Sequence, residues 1–398
     1  MKILKILMLV LLAFSTMVII PSCGGGDDPN PSQQSDNTGD DNTGDDNTGN
    51  DNTSGDDNTG DNTANTNSYS GSATYGDLIT FAINTDDQTY ELYNETTDAT
   101  EKGSYSIISE AEVDGLYHMS AGGDDFFGLE LDDKIVVGNF PSGRSSNELT
   151  FGVTSEVDNS TYESQIPGDY IYIRLGEVSV NGSSDFKEYG VFTLHSDGSL
   201  NLLYFATGGT GDYVVYDIAE LENEGLEFPI DDGYSDNTDF YLDGTWAIDG
   251  TKKDRLTVTL DGSAATGYAY AAGSTSVFLM DLGTGQGSAI AYKITATSAS
   301  DVVGTYKFID THTDGSRGAG AYTINSDGTV DYAYTTDAST VETGSFGPLS
   351  FYDVLTNVME SEFDGDYITM VVAGDAIMHF ITDENGKLIS YGAGAKID

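Results

Sequence analysis

Beyond residue 70 the chain is built of short runs in which apolar and polar side chains alternate, and Asp-Gly breaks the runs apart. Thr89–Tyr93 (Thr-Tyr-Glu-Leu-Tyr), Tyr170–Arg174 (Tyr-Ile-Tyr-Ile-Arg) and Arg255–Leu260 (Arg-Leu-Thr-Val-Thr-Leu) are the clearest examples. A period of two sends alternate side chains to opposite faces, which suits a half-buried strand and not a helix. Nine Asp-Gly dipeptides lie in this region, among them Asp197-Gly198, Asp261-Gly262 and Asp327-Gly328. Glycine after aspartate supplies the positive φ that tight hairpin turns require. Only Ile218–Glu224 and Asp353–Glu362 carry a helical pattern, and both are short. The expected fold is all-β and largely antiparallel.

A weak repetition groups the strands. Ile166-Pro167-Gly168-Asp169-Tyr170 opens one unit, which later reaches a Ser196-Asp197-Gly198-Ser199 turn. Val302-Val303-Gly304-Thr305-Tyr306 opens another, which reaches Ser326-Asp327-Gly328-Thr329. A less similar stretch precedes them. Three tandem antiparallel β units are therefore expected, at 71–165, 166–299 and 300–398, each a small barrel or sandwich. A propeller ranks lower, because no strict repeat of about 40–50 residues is visible.

Before residue 70 the chain is chemically different. Residues 24–70 hold eleven aspartates, no basic residue and a repeated Asp-Asn-Thr-Gly, as at Asp36–Gly39, Asp41–Gly44 and Asp46–Gly49. Of the 43 aromatic residues, all but Phe14 and Tyr69 lie beyond residue 70. From Asp36 to Thr63 no apolar side chain occurs, and a segment so poor in them cannot offset its chain entropy, so 23–70 is expected to be a disordered acidic tether. As a flexible coil it would span roughly 35–40 Å. The repeat is mostly five residues long and has no closing Glu, so it does not match a calcium loop.

The first residues read as an address. Lys2 and Lys5 precede an apolar run from Ile6 to Ile20, the pattern of a secretory signal peptide over 1–22. Ile20-Pro21-Ser22-Cys23 resembles the lipobox of bacterial lipoproteins, and Cys23 is the chain's single cysteine. The resemblance implies that Cys23 is the lipid-attachment residue. Gly24-Gly25-Gly26-Asp27-Asp28 resembles the acidic export signal of Bacteroidetes-type surface lipoproteins. Together these imply an outer-membrane, cell-surface protein held through acylated Cys23.

Charge narrows the partners. The chain has 66 acidic and 15 basic residues and a net charge of −51. Nucleic acid is excluded as a partner, since binding it needs a basic footprint. Docking on anionic lipid by a polybasic patch is excluded for the same reason. His118, His195, His312 and His379 are isolated in the sequence, with no His-x-His or His-Glu-x-x-His spacing, so no metal site is expected. Gly283–Gly287 is glycine-rich but opens no helix, and reads as a hairpin loop. No cofactor and no catalytic residue are assigned.

Trp246 and the many tyrosines could present rings to a sugar, although strands also bury such residues in their own cores. The expected function is that of a non-catalytic binding or adhesion module for glycans or another surface protein. The alternatives are a surface hydrolase using dispersed carboxylates about 5–10 Å apart, or a structural envelope component.

Overall fold

The computed structural model describes residues 66–397 apart from short stretches, the longest being 140–149, 177–185, 216–225 and 232–240. The described strands form three sheets of nine, and every pairing is antiparallel. The first sheet holds β1 (Thr66–Ala73), β2 (Asp77–Asn84), β3 (Thr89–Asn94), β4 (Ala99–Ser104), β5 (Ser106–Ile107), β6 (Tyr117–Ala121), β7 (Asp124–Leu131), β8 (Ile135–Gly138) and β9 (Thr150–Thr154). A single turn of helix, α1 (Asn159–Tyr162), follows and is capped by the Asp158 carboxylate.

The second sheet holds β10 (Gly168–Gly176), β11 (Phe186–Leu194), β12 (Ser199–Gly208), β13 (Val214–Val215), β14 (Tyr241–Ile248), β15 (Leu256–Leu260), β16 (Ser263–Tyr270), β17 (Val277–Asp281) and β18 (Ser288–Lys293). The third holds β19 (Gly304–His312), β20 (Arg317–Ile324), β21 (Val330–Thr335), β22 (Glu342–Phe346), β23 (Ser350–Phe351), β24 (Val358–Phe363), β25 (Asp366–Ala373), β26 (Ala376–Thr382) and β27 (Leu388–Lys396).

These are tandem barrels and part-barrels. Sheet one runs β4-β3-β2-β1-β9-β8-β7-β6-β5, and sheet three runs β22-β21-β20-β19-β27-β26-β25-β24-β23, the same path eighteen strands on. Sheet two follows that path too, from β13 through β12, β11, β10 and β18 round to β14. It then closes, because Ser199–Leu203 of β12 also pair with Tyr241–Thr245 of β14. In sheets one and three the corresponding closure shrinks to one backbone bond: Tyr105 N–H to Gln88 O at 2.9 Å, and Leu349 N–H to Gly328 O at 2.9 Å. Trp246 N–H to Gly198 O, at 2.8 Å, is the counterpart in sheet two.

Each sheet encloses its own apolar interior, and the three outer faces share a fourth core. In β8, Val136 enters the first interior, whereas Ile135 and Val137 join the shared core. In β17, Phe278 and Leu279 divide in the same way, as do Ile377 and Met378 in β26. Strands buried on both faces read as continuous apolar runs, as Ile135-Val136-Val137 does. Polar links cross between the sheets as well. Arg255 Nη2 donates to Glu95 Oε1 at 2.5 Å, and Tyr292 OH donates to Ile377 O at 3.0 Å. The described residues form one compact unit.

Two sequence expectations change here. Strand β1 takes 66–70 out of the range read as tether, because Tyr69 is fully buried and anchors the first interior. The Asp353–Glu362 stretch is not helical: Val358–Phe363 is strand, with Val358 in the shared core and Met359 in the third interior, an alternation only a strand provides. Ile218–Glu224 lies outside the described residues.

Candidate functional site

A cluster of titratable side chains lies in the third sheet. Tyr306, Phe308, Asp310 and His312 alternate along β19, so all four share the inward face with the third interior. Asp310 Oδ2 accepts from His379 Nε2 at 3.0 Å, and Asp310 Oδ1 lies 3.0 Å from His312 Nε2. His312 Nε2 is also 2.9 Å from the Tyr334 hydroxyl. His379 is fully buried, with Phe308 and Tyr322 edge-on to its ring. Gly392 lies against it, where a Cβ would come within 2.4 Å of His379 Cε1.

Charge balance explains the arrangement. Burial pushes the Asp310 carboxyl up, but His312 and His379 override it and hold the group below its ordinary value. Burial pushes His312 down, and the Asp310 carboxylate reverses this and raises it. Donation from His379 Nε2 puts that ring's proton there, and Nδ1 is left buried without a hydrogen-bond partner. The Asp310 carboxylate is thus flanked by two imidazoles, of which His312, with its side chain 28% exposed, is the one that solvent reaches. Among the described residues no group of three His, Cys, Asp or Glu side chains is arranged to hold a metal ion.

The remaining residues singled out in the sequence scatter. His118 in β6 pairs with Asp125 at 2.7 Å, and His195 bonds Asn201 Oδ1 at 2.6 Å. Trp246 is buried, and its indole N–H donates to His195 O at 2.9 Å, so its ring packs the second interior instead of facing solvent. Leu282 N–H bonds Gly287 O at 3.0 Å, which closes the β17–β18 connection around the glycine-rich loop, while 283–286 lie outside the described residues. Cys23 lies outside them too. Tyr93 and Tyr367 are the exposed aromatic rings among the described residues, on β3 and β25.

A second feature was legible in the sequence and easily missed. Glu101-Lys102-Gly103-Ser104-Tyr105 and Glu342-Thr343-Gly344-Ser345-Phe346 share a Glu-x-Gly-Ser-aromatic pattern. The structure puts the two at matching places, along β4 and β22, the long edge strands of the two open sheets. Each glycine makes room for a cross-strand ring, Tyr90 over Gly103 and Tyr332 over Gly344; a Cβ would lie 2.7 Å from a ring carbon in each case. On the far side of the opening, β5 and β23 are two residues long and cover only the ends of β6 and β24. The result is a pair of equivalent seams, one in each open sheet.

No protein-family model matches the chain, and no curated protein does. Among solved structures, it is similar to transferrin binding protein B from serogroup B Neisseria meningitidis, at 11% identity over 81% of this chain and 66% of that one, with a TM-score of 0.23. It is also similar to a protein of unknown function from Nostoc punctiforme, at 8% identity over 58% and 94% of the two chains, with a TM-score of 0.18. Scores of this size bear on no functional point, and the architecture rests on the sheets themselves.

Proposed function

We propose that this chain is a non-catalytic binding protein, held on the outer surface of a bacterial outer membrane through lipid-modified Cys23, with a protein segment as its ligand. The observation that carries the reading is the pair of equivalent open seams, each with an edge strand built on the same Glu-x-Gly-Ser-aromatic pattern. Exposed edges invite pairing with another chain, and proteins without a use for them commonly blunt or cover them. The acidic tether and lipobox add the means of display. A glycan ligand is the second class, but Trp246, the ring best suited to a sugar face, is buried.

The test begins in cells. Full-length protein is expected to incorporate radiolabelled palmitate and to be trimmed by protease added to intact cells, whereas Cys23→Ala abolishes the label. Purified full-length protein is then crosslinked to extracts of surface proteins and screened on glycans, with products followed by mass spectrometry. Saturable capture of one defined protein supports the reading. Retention of sugars alone replaces the ligand class, and cleavage of sugars overturns the non-catalytic assignment.

A further inference from the structure

The two open seams differ in charge, and the third-sheet seam is the more specific. One wall is β22, which pairs with β21 on one side only. The other is the far half of β24, where Ser361–Phe363 run on beyond the Ser350–Glu360 and Phe351–Met359 pairs with β23. The β22 wall offers a backbone edge along its length, and the rings of Phe346 and Phe363 bring the two walls together. In β22, Phe346, Gly344 and Glu342 stand opposite Val330, Tyr332 and Tyr334, and so lie on the inward face; Ser345 and Thr343 point outward. In β24, Met359, Ser361 and Phe363 share the inward face, and Glu360 and Glu362 the outward one.

The seam therefore has an apolar floor and an acidic rim. Phe346 and Phe363 meet edge-on with centroids 5.1 Å apart, and Tyr332 meets Phe363 at 5.4 Å. All three rings are only partly buried. Glu362 is exposed, Glu360 accepts from Tyr352 OH at 2.9 Å, and Glu342 is exposed at the opposite end of the β22 wall. Strands β22, β23 and β24 contain no lysine or arginine. In the first sheet, by contrast, Lys102 sits on the edge strand itself, 2.7 Å from Glu91.

We propose that the third-sheet seam accepts an extended polypeptide segment as an added strand, in which apolar side chains alternate with lysine or arginine. The backbone of the segment pairs with the free edge of β22. Its apolar residues turn inward onto Phe346 and Phe363, and its basic residues turn outward toward Glu362 and Glu360. The proposal rests on the reading of this chain as a binding protein and gives that reading a site.

The experiment uses the full-length protein and a fluorescent peptide of about ten residues, a typical strand length, alternating valine and lysine. A valine–glutamate peptide of the same length is the control. The lysine peptide is expected to bind, with amide exchange slowed in 342–346, and the glutamate peptide is expected not to. Glu360→Lys with Glu362→Lys is expected to weaken binding about tenfold or more. Reversing two remote exposed charges, Glu110→Lys with Glu163→Lys, makes the same change in net charge and is expected to leave affinity near that of the parent. Glu362→Lys alone, at an exposed position, serves if the double variant loses its circular dichroism spectrum. Equal binding to seam and remote variants, no binding of the lysine peptide, or unchanged exchange at the seam overturns the assignment. The broader reading falls separately, if full-length protein captures no surface protein at all.

Discussion

The second and third sheets begin with the same local devices. Tyr170 OH donates to Ile166 O at 2.6 Å, and Tyr306 OH donates to Val302 O at 3.0 Å, each across four residues. Lys293 from the last strand of one sheet lies 5.9 Å from the Tyr170 ring centroid, and Lys396 from the last strand of the other lies 5.9 Å from that of Tyr306. Asp197 caps its turn by accepting from Ser199 N–H, and Asp327 does so from Thr329 N–H. Then the two diverge. In β12 the first five residues pair with β14, and only Ala206 and Thr207 pair with β13. In β21 the whole edge from Val330 to Tyr334 is taken by β22, and none is left for β23. One barrel closes and the other keeps a seam. The interiors diverge at a matching position as well, where buried Arg174 follows Tyr170 and Tyr172, and buried Asp310 follows Tyr306 and Phe308. Identical local chemistry thus leaves both closure and interior charge undecided.

Removing the buried carboxylate would break the comparison most severely. Asp310→Leu leaves His312 and His379 without the charge they flank, and is expected to cost about 3–5 kcal/mol in urea denaturation. A loss below about 1 kcal/mol would show that the cluster is not a stabilising network. The next effect depends on pH. The raised His312 contributes stability in full below its unfolded value of 6.5, and that contribution is lost as pH rises through the folded value. The lowered Asp310 contributes above its unfolded value of 3.8, and loses that contribution as pH falls through the folded value. Stability carried by the cluster is therefore greatest between 3.8 and 6.5 and declines on the alkaline side. His312→Gln should flatten that alkaline decline; a titration of stability with the same slope in both proteins would assign it elsewhere.

The smallest effect probes what the two sheets share. Tyr170→Phe and Tyr306→Phe each remove one buried hydroxyl donor and leave a carbonyl without it, at about 1–2 kcal/mol apiece. Equal losses in matched melts would establish the opening tyrosine as a common lock. A loss at only one of them would show that the surrounding barrel, closed or open, sets its worth.

Much of the site was written in the sequence without being assembled there. Asp310 and His312 are two apart on a strand, so their shared face follows from period two alone. His379 joins them only because β26 and β19 both pair with β27, which sets His379 opposite Gly392 and Gly392 opposite Asp310. The partners lie 69 residues apart, and no spacing rule spans such a distance. The Glu-x-Gly-Ser-aromatic pattern was visible at both places, yet an edge strand and a central one share the same alternation, so its position at an opening could not be read from it. Trp246 left two readings open in the sequence, a ring for a sugar face or a core residue of its strand, and its neighbours bury it.

The sequence by itself determined most of the strands and the turns that separate them. Of the nine Asp-Gly pairs, those at Gly115, Gly198, Gly262, Gly315, Gly328 and Gly365 fall between strands with φ from 80° to 93°. Gly244 instead lies inside β14, where a Cβ would sit 2.4 Å from Thr259 O, so close backbone approach and not a turn requires it. Turn chemistry and side-chain period act over a few residues, and a linear reading captures them. Only the tertiary structure decided which barrel closes, which rings line an open seam, and that three sheets share one core. Those outcomes depend on competition for the same backbone edge and on which outer faces meet. Both are settled between residues far apart in the chain, where each local pattern is satisfied equally well by more than one partner.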